Sequence, residues 1–287
     1  MNGVRVRVPG SSANLGPGFD VLAVALGMHL TLEVTETGSF SLETDLHVRR
    51  DRQNLIVRAF ERLLPADRYR FRVRSEIPLS GGMGSSAAGV VAGLLAAQAL
   101  GGQASAERVL ELAAAIEGHG DNVAASLLGG LVICAGQTAT RLELPAGLEA
   151  ILVVPERPVR TALAREVLPP EVPLRDAVHN LAALARLIAG LVGGDFELIA
   201  AGLSDRLHQP YRAHLYPRCG ELLASAADHG ALGATISGAG PTVLVWVRRG
   251  QPTGELNSWL EERTRGWAKL RPVCFEPEGA SVKTLSS

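Results

Sequence analysis

The sequence predicts an α+β protein built as two domains that share an interface, with a boundary near residue 150. Three observations carry this. Strand-like alternation and helix-like periodicity are interleaved along the chain, as in VRVRV (4–8) followed by the helical spacing of 54–64. Apolar runs of the kind that form core strands occur on both sides of the boundary, in LVICA (131–135), AILVVP (150–155) and GATISGAGPTVLVWV (233–247). The length of 287 residues, 47% hydrophobic and 20% charged, leaves ample core for one large domain or two ordinary ones and excludes a disordered chain.

Taken in order, VRVRV alternates apolar and charged residues as a half-buried strand does. HLTLEVTE (29–36) and FSLETDL (40–46) read as strands parted by the turn-like residues 37–39. Within 54–64, Ile56, Phe60 and Leu63 share a helical face. YRFRVRSEIP (69–78) alternates again and delivers the chain to a glycine turn. Residues 85–100, rich in alanine and leucine, predict a deeply buried helix. AERVLELAAAIE (106–117) predicts another, and Asp121 is expected to cap a short helix over NVAASLL. In the second half, RDAVHNLAALARLIAGL (175–191) and 219–229 read as helices, 233–247 as strand, glycine turn, strand, and 256–263 as helix. No internal repeat or low-complexity linker is present.

The net charge of −1 points to neither nucleic acid nor an anionic membrane as partner. Lysine occurs only at Lys269 and Lys283. Cys134, Cys219 and Cys274 are far apart and form no CxxC pair, which argues against a zinc site or a disulfide framework and for buried neutral thiols. MNGVRVRVPGSS lacks the form of a signal peptide, and no uninterrupted apolar span reaches about 18 residues, so a cytoplasmic protein is expected.

The stretch EIPLSGGMGSSAAGVVAGLLAA (76–97) carries the first functional signal. Gly81, Gly82 and Gly84 permit positive φ and close approach of a ligand to the backbone, and a helix opens directly after them. Helix N-termini expose unpaired N–H groups and partial positive charge, so the pattern suits an anion, most often phosphate. It is not a P-loop, because the chain has no Gly-Lys pair. Residues 82–87 match the loose dinucleotide pattern G-x-G-x-x-A, but no acidic-ended strand follows about 20 residues on. A tight turn before a buried helix remains the plain structural alternative.

Two further stretches, PGSSANLGPGFD (9–20) and SGAGPT (237–242), join PLSGGMGSSAAG (78–89) in order and spacing. Together the three resemble the signature motifs of the GHMP kinases, across nearly the whole chain. SSANLGPGFD (11–20), EGHGDNVAASLLGG (117–130), TALAREVLP (161–169) and DRLHQPYR (205–212) are similar to the homoserine kinase family within that group. The resemblance implies a ribosomal protein S5 domain 2-like N-terminal domain over 1–150 and a ferredoxin-like C-terminal domain over 151–287, with ATP between them. It implies transfer of the ATP γ-phosphoryl group to the side-chain hydroxyl of L-homoserine, with Mg²⁺, and a homodimer.

By the same resemblance, Pro78, Leu79, Ser80, Gly81, Gly82, Met83, Gly84, Ser85, Ser86, Ala87 and Ala88 would wrap the ATP phosphates, and Glu117 with Ser86 would hold Mg²⁺. Arg165 and Arg212 would grip the acceptor carboxylate, with Thr161 nearby, and Asp20 its ammonium. Asn14, His119 and Asn122 would surround the acceptor, Asn122 orienting its hydroxyl, and Gly238 would close over it from the second domain. A zwitterionic acceptor suits these types, since arginine binds carboxylate bidentately and a carboxylate binds ammonium. Asparagine cannot take a proton, so no side-chain base is expected. Each residue also has an ordinary explanation: a solvated arginine, an Asp cap, a loop histidine, a helix-end glutamate. His208, His214 and His229, and the three tryptophans, read as packing or surface residues. Met83 and Gly120 depart from the family pattern, where Leu and Pro are usual. A kinase for another small alcohol, a non-catalytic nucleotide-binding regulator and a dinucleotide oxidoreductase are the alternatives.

Overall fold

The computed structural model describes residues 3–136, 138–157 and 161–285, without the side chains of 161 and 162. The Thr161 side chain, expected near the acceptor, thus lies outside the described residues. The chain opens with two long antiparallel strands, β1 (Gly3–Ala13) and β2 (Leu22–Glu36), whose register slips at Pro9/Gly10. Proline cannot donate to the ladder and belongs at such a bulge. Both strands outrun the alternating segments that announce them, because SSANL and VLAVAL are buried on both faces and so show no alternation. β3 (Ser41–Thr44) does not pair with β2 across the turn at 37–39; it runs parallel beside the strand after α1 (Leu55–Phe60), β4 (Tyr69–Ser75).

α2 (Ser85–Ala99) is buried from Ala87 to Ala97. Its neighbours are the sheet, α1, α3 (Ala106–Glu117) and α4 (Asp121–Leu128). A helix walled in on every side needs apolar residues all round, and small ones wherever a neighbour comes close. At Gly93 a Cβ would stand 2.3 Å from the Ile56 carbonyl oxygen of α1. Asp121 is the first residue of α4 rather than its cap; Gly120 holds the cap position. β5 (Leu131–Ala135) pairs with β2, and β6 (Thr138–Leu142) pairs with β5.

β7 (Leu148–Pro155) starts the second sheet. The helices α5 (Thr161–Glu166), α6 (Leu174–Gly193), α7 (Phe196–Gly202), α8 (Gln209–Ala213) and α9 (Pro217–Ser225) follow, then β8 (Gly233–Ile236), β9 (Val243–Arg248), α10 (Gly254–Thr264) and β10 (Ala268–Cys274). The strand order β10-β7-β9-β8, all antiparallel, is the ferredoxin-like arrangement. β11 (Ser281–Leu285) then returns to the first sheet beside β1. The second sheet is covered on both faces. Ile151, Val153, Val243 and Val245 pack into a cluster with Leu222 and Leu256. Their alternates Leu152, Leu244 and Trp246 join the core of the first unit. Cys134 and Cys219 are buried with their thiols pushed up to about 12 by burial, whereas Cys274, expected inside, is exposed.

Candidate active site

The three glycine-containing stretches, far apart in sequence, meet where the two sheets abut. Gly84 at φ +67 turns the chain into α2, and Gly82 at φ +79 precedes it. A Cβ at Gly82 would lie 2.1 Å from the Ser237 carbonyl oxygen, and one at Gly84 2.0 Å from Ser11 Oγ. Glycine is required here because the first and third stretches press on the loop from either side. Ser237 Oγ donates to the Gly82 carbonyl at 2.8 Å and lies 2.8 Å from Ser12 Oγ; the Ser11 amide donates to the Met83 carbonyl at 3.1 Å. Four non-glycine residues among those described have positive φ: Asn14, Leu15, Asp20 and Ser80. All four fall in the first two stretches. Such conformations cost about 1–3 kcal/mol each and persist where the surroundings impose them.

The loop presents polar groups toward the start of α2. Met83 anchors it from within, 1% exposed, while Leu79 and Ser80 face solvent. Thr242 Oγ1 is the one buried side-chain polar atom among the described residues that lacks a hydrogen-bond partner, and it sits beside Gly81. Ser86 Oγ donates to Glu117 Oε1 at 2.5 Å, and burial raises the Glu117 carboxyl above its usual range. Unpaired helix amides, an orphan hydroxyl and a desolvated carboxylate form a donor set suited to a polyphosphate with its divalent cation. Among the described residues no group of three or more His, Cys, Asp or Glu could hold a metal by itself. A one-carboxylate, one-hydroxyl set suits Mg²⁺, which relies on phosphate oxygens and water for its other ligands.

Next to this loop is a cavity of about 60 Å³ lined by Ala13, Asn14, Asp20, His119, Asp121, Asn122, Arg165, Arg212, Gly238 and Ala239. The acceptor-site residues anticipated from sequence, Thr161 aside, are therefore in one place. Arg165 grips Asp20 with two bonds of 2.8 and 3.1 Å, both side chains about 40% exposed. Arg212, 2% exposed, donates to the Ala164 carbonyl at 3.0 Å and the Gly238 carbonyl at 3.0 Å. Asn14 ties the same Gly238 carbonyl (2.7 Å) to the Asp20 amide (3.0 Å). Asn122 Oδ1 accepts from Ser11 Oγ at 2.9 Å, so its amide nitrogen is left as the free donor. A larger hollow of about 720 Å³ lies on the open face of the first sheet. It touches none of the three glycine stretches, and its charges are largely matched internally, as in Arg5 with Glu33 and Arg72 with Glu43.

Sequence reasoning missed two elements. His208, expected to be packing or surface, is fully buried and bonded: Nε2 donates to the Gly16 carbonyl at 2.8 Å, leaving Nδ1 to accept from Arg212 Nη1 at 3.1 Å. Burial chiefly, with Arg212 adding to it, lowers the His208 pKa against the opposing pull of Asp205, so the ring is neutral. The Phe19 ring stacks on His208, with the Arg165 and Arg212 guanidiniums within 6 Å of its centre. The i, i+4 spacing of His208 and Arg212 in DRLHQPYR is the signal that would have found this pair. The second is Asp121, which lines the cavity and binds the Asn122 amide; burial and then the Asp20 charge raise its carboxyl.

A glycine-loop anion site joined to a zwitterion-lined cavity between an S5-like and a ferredoxin-like unit defines a small-molecule kinase. The sequence pattern of the GHMP kinases N terminal domain matches residues 54–130, and that of the GHMP kinases C terminal domain matches 181–262. The chain is similar to homoserine kinase of Thermus thermophilus, 44% identical over 86% of this chain and 88% of that protein. It is 39% identical to homoserine kinase of Moorella thermoacetica over the same shares. The crystal structure of homoserine kinase from Cytophaga hutchinsonii superposes with a TM-score of 0.86 at 27% identity, covering 99% of this chain and 98% of that one. The chain is a GHMP kinase. Within that class it belongs to the homoserine kinase family.

Proposed function

We propose that the chain transfers the γ-phosphoryl group of ATP to the side-chain hydroxyl of L-homoserine, giving O-phospho-L-homoserine on the route to threonine, in the cytoplasm and as a homodimer. The observation that carries this is the Asp20–Arg165 pair facing buried Arg212 across a small cavity beside the glycine loop. The two opposite charges satisfy each other in the structure. A zwitterion entering between them replaces both contacts at once: its ammonium takes Asp20, its carboxylate takes Arg165 and the free edge of Arg212. A neutral alcohol or a monoanion would break the pair and repair only one side of it. That favours an amino acid over a sugar, mevalonate or shikimate.

Phosphoryl transfer asks mainly for position and charge neutralisation. The loop 78–88 and the first turn of α2 would hold the phosphates, and Mg²⁺, held by Glu117 and Ser86, would supply charge neutralisation at the phosphate oxygens. Asn14 and His119 flank the acceptor, and the Asn122 amide directs its hydroxyl. The hydroxyl oxygen bonds to Pγ as the bond from Pγ to the bridging β,γ oxygen breaks, and the hydroxyl proton leaves to phosphate or water. A second reading rests on Asp121, a buried carboxylate in the cavity that is placed to receive that proton. Asp121→Asn separates the two: an unchanged acidic limb in the kcat/KM pH profile supports the first, its loss supports the second. The overall proposal is tested by ADP release from Mg²⁺·ATP with L-homoserine, D-homoserine, L-serine, L-threonine, mevalonate, shikimate and galactose. Turnover confined to L-homoserine is expected. Faster turnover of a non-amino-acid overturns the acceptor assignment.

A further inference from the structure

One buried carboxylate has no part in the chemistry described so far. The Asp205 side chain is fully enclosed, and its one ion-pair contact among the described residues is His208 Nε2 at 3.6 Å, on a neutral ring. A carboxylate is costly to bury unless its oxygens are satisfied. Here donors satisfy both. Oδ1 accepts from Asn180 Nδ2 at 2.7 Å and from the Leu207 amide at 3.0 Å. Oδ2 accepts from the His208 and Gln209 amides at 3.0 and 2.7 Å. One side chain thus takes three successive backbone N–H groups leading into α8, and the next residue, Pro210, has none to offer. Side-chain bonds of this kind set the path of the backbone they bind.

The acceptor site depends on that path. His208 spans the Gly16 carbonyl and Arg212, so it joins α8 to the first glycine stretch. Gln209 Oε1 accepts from the Ile236 amide at 2.7 Å, which joins α8 to the strand entering the third stretch. Asn180, on the other side of Asp205, also donates to the Pro17 carbonyl at 3.3 Å. Arg212 is the informative member. Buried arginines are ordinarily paired with a carboxylate. The partners of Arg212 are two carbonyls and a neutral ring, with no carboxylate bonded to it among the described residues. Burial lowers its pKa, and Asp20 and Asp205 are among the charges that oppose this. The cation is aimed by its neighbours rather than neutralised by one, and its open edge is left for an anion.

We propose that Asp205 is a positioning residue for the acceptor: it acts through His208 and Arg212 and sets affinity for the acceptor carboxylate without touching it. The inference rests on the acceptor reading above. The chemistry of the substitution Asp205→Asn shows why a carboxylate is required. All four groups around Asp205 are N–H donors, so one oxygen would become an NH₂ group facing two of them. The start of α8 would turn, the His208 ring would leave its seat between Gly16 and Arg212, and the guanidinium would lose its aim.

Initial rates of Asp205→Asn, with the acceptor that the panel above selects, test this. The acceptor KM should rise at least tenfold while the ATP KM stays within threefold. Asp195→Ala is the control for stability alone. Asp195 also accepts backbone amides, those of Glu197 and Leu198 at the start of α7, but lines no part of the cavity. Its loss should lower Tm and leave both KM values unchanged. Because Asp205 acts through His208, Asp205→Asn combined with His208→Ala should raise the acceptor KM far less than the product of the separate rises. The ring also gives a reading that needs no turnover. Its ¹H–¹⁵N correlation spectrum should show the Nε2–H tautomer in the parent chain and a mixture of tautomers in Asp205→Asn. An unchanged acceptor KM in folded Asp205→Asn, an ATP KM that rises equally, or separate rises that multiply would each overturn the proposal. If no acceptor of the panel turns over, the kinase reading falls, and the ring decides the assignment of Asp205: a mixture in Asp205→Asn upholds it and an unchanged tautomer overturns it. Should Asp205→Asn not fold, the parent spectrum decides, Nε2–H in favour and Nδ1–H against.

Discussion

Replacing either arginine of the acceptor cavity by leucine removes a cation facing the same ligand, yet the two replacements should differ in stability. Arg212 donates to the Ala164 carbonyl, the Gly238 carbonyl and His208 Nδ1, all buried. Gly238 keeps a second donor in Asn14, so Arg212→Leu strands two acceptors. At about 1–3 kcal/mol for each buried unsatisfied group, the loss is about 2–6 kcal/mol. That corresponds to a Tm drop of roughly 3–10 °C for a chain of this size. Arg165 is 40% exposed and its ion pair is with half-exposed Asp20, a pair worth about 0–1 kcal/mol, so Arg165→Leu should leave Tm within about 3 °C. Kinetically the two converge. Each loses charge-assisted bonds to the acceptor carboxylate worth about 1.5–3 kcal/mol, raising the L-homoserine KM roughly 10- to 150-fold. The KM for ATP should stay within about threefold. Differential scanning fluorimetry and initial rates with both substrates decide it. An unchanged acceptor KM in either variant, or equal loss of Tm in both, would refute the reasoning.

Three more outcomes follow from the same geometry. Gly82→Ala should lower kcat/KM for both substrates at least tenfold, about 1.4 kcal/mol, because its Cβ would displace Ser237 and with it the Gly238 carbonyl; Gly38→Ala, at φ +86 with nothing within 4 Å, is the control that should cost Tm alone. Glu117→Gln should cut kcat about 100-fold and raise the Mg²⁺ requirement. Since burial raises the Glu117 pKa, its ionisation costs stability as pH rises through that value, so the variant should melt no lower than the parent at pH 8. The lowered pKa of His208 means that the unfolded chain takes up the proton first as pH falls below 6.5. Stability should therefore decline with acidification from pH 6.5 down to the lowered value, and only as pH falls through that lowered value should protonation of Nδ1 against Arg212 raise the L-homoserine KM; His208→Gln should flatten that rise.

The glycine loop was legible in the sequence because its constraint is local. Gly82 and Gly84 need positive φ, and a helix must start at Ser85. The buried α2 was legible for a similar reason: a helix enclosed on all sides shows uniform apolarity. The lengths of β1 and β2 were not, since burial on both faces erases the alternation that reveals a strand. His208 was passed over because a lone histidine carries no sign of its partners. Only folding sets it between the Gly16 carbonyl and Arg212. Asp121 was taken for a cap because its position at a helix start is equally consistent with lining a cavity.

The sequence alone determined the chemistry available: a glycine turn suited to an anion, without a P-loop lysine, and a set of arginines, carboxylates and amides suited to a zwitterion. Tertiary structure decided which of those groups share a cavity, because residues 14, 20, 122, 165, 212 and 238 come from five separate stretches that meet only when two sheets pack together. It also decided which are free to act. Asn122 Oδ1 is consumed by Ser11, Asp20 is held by Arg165, and Thr242 is left without a partner beside the glycine loop. Residue identity sets what a side chain can donate or accept; only its neighbours in space determine what remains unspent.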